Sequence, residues 1–542
     1  MPSSSTIRAA DAVARRLYAQ GCRYAFGMPG GEVLTLIDAL EDAGISFVLA
    51  KHENAAAFMA EGAYHRTGAP AILVATVGPG ALNGVNAVAN AHQDRVPMIV
   101  LAGAVDGDEA QSYTHQVLDQ QAVFRPITKA SFSLVPGAAH IIIDKAIGIA
   151  TEGRPGPVHI DVPIAVADTQ VPANAAPARP KASPVAPTGG DLETARLWLS
   201  EAKRPVIIAG LDAMVEGAGD ALMRFAETYN VPVITTYKAK GLIPEDHPLS
   251  LGGAGLSPLA DRHLLPLIEK ADLILCVGYD PIEMRTGWRN IWNPLQQRVI
   301  DIIAEPNHHY MHQASLNFIA DCAASLDALA HDTQAQAQET WPGGEIAATQ
   351  SALSAAFPSD EPWGPGAVMD TCRKVLPRTT LATVDSGAHR ILLSQMWHCY
   401  EPRGLTQSTA LCTMGCAIPL AMGTKLADPE RPVISFCGDA GFLMVAGELS
   451  TAAELALKPI ILVFVDASLS LIELKQRSRQ MKNRGVDFAK HDFAAMGVAF
   501  AGAGHTVTNR AELSTALQTA MTADTFTVIA AVIERGAYDG RI

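Results

Sequence analysis

The stretch Val433-Ile-Ser-Phe-Cys-Gly438-Asp439-Ala440-Gly441-Phe442 joins a short apolar run to a glycine-rich turn that carries a carboxylate. Residues 433–436 predict a buried strand, the turn starts at Gly438, and we expect a helix from about Val445. The amide groups of such a turn and the dipole of the following helix favour a phosphate ligand. Because the carboxylate of Asp439 would repel a phosphate, we expect a divalent cation between them.

A second apolar run predicts a buried strand at residues 460–465, which ends in the segment Asp466-Ala467-Ser468-Leu469. Two parallel strands whose carboxyl ends both carry polar groups describe a binding site at the edge of an α/β sheet. From these residues alone, an ordinary nucleotide-binding turn in a Rossmann-like sheet remains an alternative interpretation.

Composition limits the class of protein. The chain has 542 residues, enough for about three domains, and 49% of them are hydrophobic, which allows large cores. The net charge is −14 without any basic block, so we expect no binding to nucleic acid or to an anionic membrane. No apolar run approaches the length of a membrane span and the first residues lack a signal-peptide pattern, which favours a cytoplasmic protein.

The eight cysteines are scattered and form no Cys-x-x-Cys pair. We interpret them as reduced buried residues, and not as zinc ligands or a disulfide framework.

Strand-like and helix-like segments alternate along the chain, which predicts an α/β fold of three consecutive doubly wound parallel-sheet domains. We place these domains at residues 1–167, 191–335 and 361–542. The segment 168–190 is rich in proline and alanine, and the segment 336–360 is polar and rich in small residues. Both compositions are typical of linkers.

Residues 51–62 place Glu53 where a strand is expected to end and a helix to begin. Taken alone, Glu53 is an ordinary first-turn carboxylate that the helix dipole favours. Together with the turn at residues 438–440 and the pair Asp466-Ala467, this segment resembles the thiamine diphosphate enzymes. In that family a Gly-Asp-Gly turn is followed by an Asn pair, and a glutamate activates the cofactor.

Further segments resemble the acetolactate synthases specifically, namely residues 26–30, 76–89, 113–119, 156–163 and 385–389. The resemblance covers nearly the whole chain and implies pyrimidine-binding, central and diphosphate-binding domains in that order. The cofactor-binding residues that it implies are Pro29, Gly30, Glu53, Thr76, Asn83, Gly387, Ala388, His389, Met414, Gly438, Asp439, Ala440 and Gly441.

The resemblance assigns proton relay to Glu53, through a hydrogen bond to the aminopyrimidine of the cofactor. A carboxyl shielded from bulk water is suited to this role. Gln116 and Lys129 are our further catalytic candidates, on the substrate side. Met414 would hold the cofactor in its bent form, although core packing is the alternative for an isolated methionine.

The resemblance also implies Mg²⁺, bound by the carboxylate of Asp439 and the backbone carbonyl of Leu469. Ala467 stands where the family has a ligating Asn and offers no side-chain ligand atom, so we add Asp466 as a candidate metal ligand. Because Mg²⁺ readily keeps water molecules, we expect a weakened site and weaker cofactor retention. Ala440, in place of the family's Gly, is a milder change.

Residues 277–283 and 486–493 are most similar to the catabolic acetolactate synthases, which work without FAD, so FAD is not expected. By resemblance, the protein is a homodimer or homotetramer with its active sites at the subunit interface. Glu53 would then act on a cofactor bound by residues 385–469 of the other subunit.

The activity implied by the resemblance is decarboxylation of pyruvate or a related small 2-oxo acid to an enamine, followed by ligation to a carbonyl acceptor. The helix after Ser470 differs from the usual acetolactate synthase pattern, so a simple 2-oxo acid decarboxylase, or a ligase with another acceptor, is an alternative. Ala467 supports an alternative of another class, a non-catalytic, cofactor-poor homologue with a binding or regulatory role.

Overall fold

The fold is described from a computed structural model and covers residues 5–173, 177, 179–330 and 339–542. Three six-stranded sheets follow one another along the chain, and neighbouring strands within each sheet run parallel. Helices alternate with these strands along the chain. The α/β fold of three consecutive parallel-sheet units, predicted from the sequence, is therefore confirmed.

The order of the strands in space differs from their order along the chain. Across the first sheet it is Ser46–Leu49, Tyr24–Met28, Ala71–Ala75, Met98–Ala104, Val158–Pro163 and Ala130–Ser133. Across the second it is Ser250–Ala254, Val233–Thr236, Pro205–Ala209, Leu273–Val277, Arg298–Ile303 and Leu316–Ile319. Across the third it is Leu405–Gln407, Leu381–Val384, Val433–Gly438, Ile460–Val465, Thr527–Val532 and Ala503–Val507.

The α-helices fall into three groups, one for each sheet. The first group is Ala9–Ala19, Leu34–Asp42, Glu53–Thr67, Pro79–Asn83, Val85–Gln93, Gln120–Phe124, Ala139–Thr151 and Ile164–Asp168. The second is Gly190–Glu201, Leu211–Val215, Gly219–Tyr229, Pro258–Lys270, Cys322–Ala330 and Glu345–Ala356. The third is Pro365–Val375, Ala388–Met396, Ala417–Ala427, Asp439–Val445, Glu448–Glu454, Ser470–Ser478, Phe493–Ala499 and Arg510–Met521. Within the ranges that the structure describes, none of the helices has the length and apolar character that crossing a membrane requires.

The central strands are continuous apolar runs because helices cover both faces of each sheet. All residues of Ala71–Ala75 and of Ile460–Val465 are buried. The helix expected from about Val445 is found as Glu448–Glu454, but an earlier helix, Asp439–Val445, which we did not predict, begins directly after the strand. An acidic residue in the first turn is stabilised by the helix dipole, which favours this early start.

Both segments interpreted as linkers contain regular structure. Gln170–Pro172 pairs antiparallel with Thr6–Arg8, and the helix Glu345–Ala356 packs against Pro258–Lys270. The border that we placed between residues 335 and 336 lies outside the described residues, as do positions 174–176 and 178 of the first linker. The exact domain boundaries therefore stay predictions.

The first and third units are joined by the helices Glu53–Thr67 and Ala417–Ala427, which make the most extensive contact between helices in the described structure. A Cβ atom added at Gly423 would overlap the carbonyl oxygen of Met59, and one added at Gly62 would overlap that of Leu420. The two glycines thus let one helix backbone lie directly against the other. Side chains from both units form one continuous core around this contact.

The central unit is connected to the other two by the buried ammonium group of Lys238. Its Nζ donates to Asp94 Oδ2 of the first unit at 2.9 Å and to the carbonyl oxygen of Gln407 of the third unit at 2.6 Å. Asp94 also accepts hydrogen bonds from the backbone amides of Thr409 and Ala410. A buried charge that is paired in this way holds the three units in one arrangement.

The glycine contact gives a first testable prediction. Gly423→Ala should lower the free energy of unfolding by about 1–3 kcal/mol, because the added methyl group forces two packed helices apart. The measurement is urea denaturation of the purified protein, followed by circular dichroism.

Gly148→Ala is the matched control, since Gly148 also lies inside a helix but an added Cβ meets no atom within 4 Å. There the alanine should be neutral or stabilising by up to about 1 kcal/mol. Equal destabilisation by both substitutions would contradict the tight helix contact.

Candidate active site

Three aspartates follow the carboxyl ends of three neighbouring strands in the third sheet. Asp385 follows Leu381–Val384, Asp439 follows Val433–Gly438, and Asp466 follows Ile460–Val465. This edge of the sheet opens into a cavity of about 130 Å³. Its lining residues are Ser386, Gly387, Ala388, His389, Met414, Gly438, Asp439, Ala440, Gly441, Phe464, Asp466, Ser468, Leu469, Ser470, Leu471, Ile472 and Tyr538.

The cavity is thus lined by all the diphosphate-binding and metal-binding residues that we predicted in the third unit. Met414, which is half-buried, also lines it. The cavity is also lined by residues that we did not predict as part of the site, among them Ser470 and Tyr538, and Asp385 packs behind its wall. Asp385 lies within a motif that we quoted, so its position could have been found. Tyr538 lies far from any motif along the chain and gave no such signal.

Asp439 is held by backbone amides. Its Oδ2 accepts hydrogen bonds from the amides of Ala467 at 2.7 Å and Asp466 at 3.2 Å, and its Oδ1 accepts one from Ala440 at 2.8 Å. Burial, and then the neighbouring charge of Asp466, raise the pKa of Asp439 to about 6. The side chain is therefore a buried carboxyl that a nearby cation would stabilise in its ionised form.

Asp466 lies beside Asp439 and is also mostly buried. Ser470 Oγ donates to its Oδ2, and the amide of Ser468 donates to its Oδ1 at 3.3 Å. Burial is the main cause that raises the pKa of Asp466. Neither Asp439 nor Asp466 forms a salt bridge within the part of the chain that the structure describes, so the pair offers carboxylate oxygens to a cation.

Asp385 and two glycines shape the other wall of the cavity. Asp385 Oδ1 lies 2.9 Å from His389 Nε2, and Asp385 Oδ2 accepts a hydrogen bond from the amide of Gly415 at 2.9 Å. A Cβ atom at Gly441 would overlap Asp385 Oδ2, and one at Gly387 would overlap the His389 ring. Glycine is therefore required at both positions for the wall to close as it does.

Glu53 begins the helix Glu53–Thr67 in the first unit, and only 4% of its surface is exposed. Asn83 Nδ2 donates a hydrogen bond to Glu53 Oε2 at 2.9 Å. A Cβ atom added at Gly80 would come within 3.0 Å of Glu53 Oε1. The structure therefore brings together Glu53 and Asn83, two of the predicted residues, and shows why glycine follows Pro79.

Thr76 and Gly30 lie together close to this group. A Cβ atom at Gly30 would overlap Thr76 Oγ1, and Thr76 donates a hydrogen bond to Glu32 Oε2. Pro29, which precedes Gly30, is exposed. The turn at residues 28–31 is thus fitted against the end of the strand Ala71–Ala75.

The two remaining catalytic candidates differ in their surroundings. Gln116 has a left-handed φ of 58° and lies beside Gly78, whose amide donates to the buried side chain of Gln120 at 2.9 Å. We did not single out Gln120, because nothing in its sequence context marks a buried amide. Lys129 Nζ donates to the carbonyl oxygen of Glu152 at 2.7 Å, at the end of the helix Ala139–Thr151, and makes no described hydrogen bond to Glu53.

The predicted residues therefore form two separate groups within one chain. The Glu53 group belongs to the first unit, whereas all the described residues that line the cavity belong to the third unit. A single chain contains both groups, but the cavity itself contains no carboxylate from the first unit.

Comparison with protein families assigns the chain to a class. The N-terminal TPP binding domain of the thiamine pyrophosphate enzymes matches residues 7–123, the central domain of these enzymes matches 192–329, and their C-terminal TPP binding domain matches 385–531. Together these matches cover most of the chain. The protein belongs to the thiamine pyrophosphate enzymes.

Individual relatives indicate which of the thiamine pyrophosphate enzymes this chain is similar to in sequence. The chain is 32% identical to the probable acetolactate synthase large subunit of Methanocaldococcus jannaschii, over 86% of this chain and 81% of the relative. It is 30% identical to the acetolactate synthase of Bacillus subtilis, over 95% and 91%. It is also 30% identical to the probable 2-ketoarginine decarboxylase of Pseudomonas aeruginosa, over 92% and 89%.

These similarities define an acetolactate synthase-like enzyme that depends on thiamine diphosphate and has decarboxylase and carboligase function. The sequence-based prediction of this class is confirmed, and the alternative of a non-catalytic homologue is set aside. The residues of the site fit the cofactor. Glycines at positions 387 and 441 let Asp385 and His389 pack closely into one wall, and the carboxylates of Asp439 and Asp466 line the cavity, which suits a cation together with a diphosphate.

Ala467 gives a prediction about backbone strain. Its φ of 55° is a left-handed conformation, which costs an alanine about 1–2 kcal/mol and which glycine and asparagine adopt more readily. Ala467→Gly should therefore raise the free energy of unfolding by roughly 0.5 kcal/mol, after the entropy cost of glycine is subtracted. Thermal unfolding of the cofactor-free protein measures the change.

Ala440→Gly is the control, because Ala440 lies in the same site but inside a helix, outside the left-handed region. That substitution should destabilise the protein by about 0.5–1 kcal/mol. A loss of stability of the same size in Ala467→Gly would show that the strain is absent.

Proposed function

We propose that the enzyme decarboxylates pyruvate, or a related small 2-oxo acid, and ligates the product to a carbonyl acceptor, in active sites formed between two subunits. The observation that carries this proposal is the pairing of a buried Glu53 on one unit with a carboxylate-lined cavity on another. Thiamine diphosphate supplies the nucleophilic carbon and the electron sink for this chemistry, and the protein binds and orients it.

We propose that Glu53 transfers a proton with the pyrimidine ring of the cofactor. Asn83 already donates to Oε2, whereas Oε1 accepts none of the hydrogen bonds found among the described residues. Oε1 is therefore the atom that we assign to hold and release the proton. The small Gly80 beside Oε1 and the burial of Glu53 both support this role, since they keep the oxygen accessible to a ring and shielded from bulk water.

We propose that Mg²⁺ is bound by Asp439, Asp466 and the backbone carbonyl of Leu469, with water molecules in the remaining positions. The support is the buried carboxylate of Asp439 beside the partly buried carboxylate of Asp466, neither of which has a salt-bridge partner in the described structure. Ser470 holds the carboxylate of Asp466 and so fixes its direction. Asp466 would thereby compensate in part for the missing ligand at Ala467.

We propose two subunits because Glu53 and the cavity belong to separate groups within one chain, so that each group needs its counterpart from a second copy. Large apolar side chains are exposed on both units that carry the site, and several of them lie close to predicted site residues along the chain. On the first unit these are Leu82, Tyr113, Val117 and Leu118, and on the third unit they are Leu411, Leu443 and Met444. A second copy that covers them would place Glu53 of one chain at the cavity of the other.

We propose that the enzyme works without FAD, as in the catabolic acetolactate synthases that it resembles. In open α/β sheets a nucleotide binds beyond the carboxyl ends of the strands. In the central unit Tyr279 lies at such a position, directly after Leu273–Val277, is 1% exposed and stacks on His312 with ring centroids 5.0 Å apart. The buried ring of Tyr279 therefore occupies the position directly beyond this strand, which supports the proposal.

We also propose a cytoplasmic location. All eight cysteines are free, which suits a reducing compartment.

A second candidate function is decarboxylation with release of an aldehyde and without ligation. The similarity to a probable 2-ketoarginine decarboxylase supports it, because that relative matches this chain over nearly its full length. The helix Ser470–Ser478 contributes Ile472 to the cavity and carries Glu473, whose carboxylate pairs with Arg477. Analysis of the products from a panel of 2-oxo acids separates the two functions.

Glu53→Gln is the decisive test of the catalytic assignment. It should lower kcat for CO₂ release from the best 2-oxo acid by about 10²–10⁴-fold, because an amide cannot exchange the proton. The control is Glu430→Gln, an exposed glutamate on the third unit, which should leave kcat unchanged. Full turnover in Glu53→Gln would rule out the proposed role of Glu53.

Ala467→Asn tests the metal assignment, and Ala467→Gly is its matched control. Both substitutions relieve the left-handed backbone, but only asparagine adds an oxygen ligand for Mg²⁺. Calorimetric titration should therefore show tighter binding of Mg²⁺ with thiamine diphosphate for Ala467→Asn, by about tenfold, and no comparable gain for Ala467→Gly. Equal affinities in the two variants would contradict a metal site next to residue 467.

A further inference from the structure

The central unit contains a second group of metal-binding side chains, which the proposed reaction does not use. Cys276 lies on the strand Leu273–Val277, and Asp301 is its register partner on the neighbouring strand Arg298–Ile303. Partners at one register position of a parallel pair project from the same face, so the thiol and the carboxylate lie side by side. His312 approaches them from the loop 304–315, which follows the second of these strands.

The three side chains form a compact set of donors. Cys276 Sγ, an oxygen of Asp301 and a ring nitrogen of His312 all lie within 4.8 Å of one another. His312 Nε2 is 3.8 Å from Asp301 Oδ2. A point at the centre of such a set is no more than about 2.8 Å from each donor, so movements below about 1 Å reach the 2.0–2.3 Å of zinc–ligand bonds.

These groups are buried without sufficient hydrogen-bond partners. The exposed fractions are 0% for Cys276, 1% for Asp301 and 4% for His312. Asn307 donates to Asp301 Oδ2 at 3.0 Å, but Asp301 Oδ1 and both ring nitrogens of His312 have no hydrogen-bond partner in the described structure. Buried polar atoms are normally satisfied, so this set of atoms indicates a missing ligand.

The imidazole is also held in position before any ion binds. The His312 ring stacks on Tyr279 with centroids 5.0 Å apart and packs against Trp292 at 4.9 Å. A cavity of about 170 Å³ adjoins Asp301 and His312, and it gives water access to the donors.

We propose that Cys276, Asp301 and His312 bind a divalent transition-metal ion of the zinc class, with water as the fourth ligand. A thiolate and a carboxylate together balance the charge of such an ion. The mixture of sulfur, nitrogen and oxygen donors favours zinc over Mg²⁺, which takes oxygen ligands. The ion would fasten the loop 304–315 to the sheet of the central unit.

The test is metal analysis of the full-length protein, purified without chelator. We expect about one equivalent of zinc per chain by mass spectrometry. After the metal is removed with a chelator, titration with Co²⁺ should produce the near-ultraviolet absorption of a cobalt–thiolate bond. No cysteine is among the described residues that line the thiamine diphosphate cavity, so Co²⁺ bound there does not give this band.

Cys276→Ser and His312→Gln should each lose the band and at least nine-tenths of the zinc. Cys322→Ser is the matched control, because Cys322 is a buried cysteine of the same unit that belongs to a different core cluster, and it should keep both signals. If Cys276→Ser keeps the band, the proposal is overturned.

The wild-type protein supplies an outcome that does not depend on the folding of any variant. Absence of zinc in the purified chain, together with absence of the thiolate band on Co²⁺ titration, would overturn the proposal. Because neither readout uses the 2-oxo acid reaction, a failure of the zinc site is distinguishable from a failure of the proposed catalytic function.

Discussion

The close contact between the helices Glu53–Thr67 and Ala417–Ala427 is the constraint on which the rest of the arrangement depends. Gly62 and Gly423 allow backbone to touch backbone, so the first and third units share one core. Glu53 starts one of these helices, and the other begins shortly after Met414, which lines the cavity of the third unit. A shift of the helix pair would therefore displace both parts of the site at once, and close packing resists such a shift.

The sequence was sufficient for the architecture, since alternating apolar runs and turn signals predict three parallel sheets wherever both faces of a sheet are covered. The sequence was a less reliable guide to the helices where local preferences compete with packing. The sequence predicted the helix near Val445, which is Glu448–Glu454, but not the earlier helix Asp439–Val445, whose first turn is stabilised by the acidic Asp439. The linker composition at 336–360 likewise did not reveal the helix Glu345–Ala356, which is stabilised by packing against another helix.

The site was predictable where its residues sit in short motifs, as with Asp439, Asp466 and His389, which line one cavity. Residues whose role depends on distant packing were not predictable. Lys129 contacts the carbonyl of Glu152, a contact that only the fold creates. The same limit applies to Cys276, where rules based on cysteine spacing exclude a metal site. Strand register places Asp301 beside Cys276, and a long loop brings His312 to both.

The shared core of the first and third units has a consequence for synthesis on the ribosome. Glu53–Thr67 is almost entirely buried, yet its partner Ala417–Ala427 is translated about 350 residues later. At roughly 5–20 residues per second, the finished first third of the chain waits on the order of 20–70 s with an apolar helix uncovered. Until the last third of the chain is made, this uncovered surface leaves the nascent first unit open to aggregation.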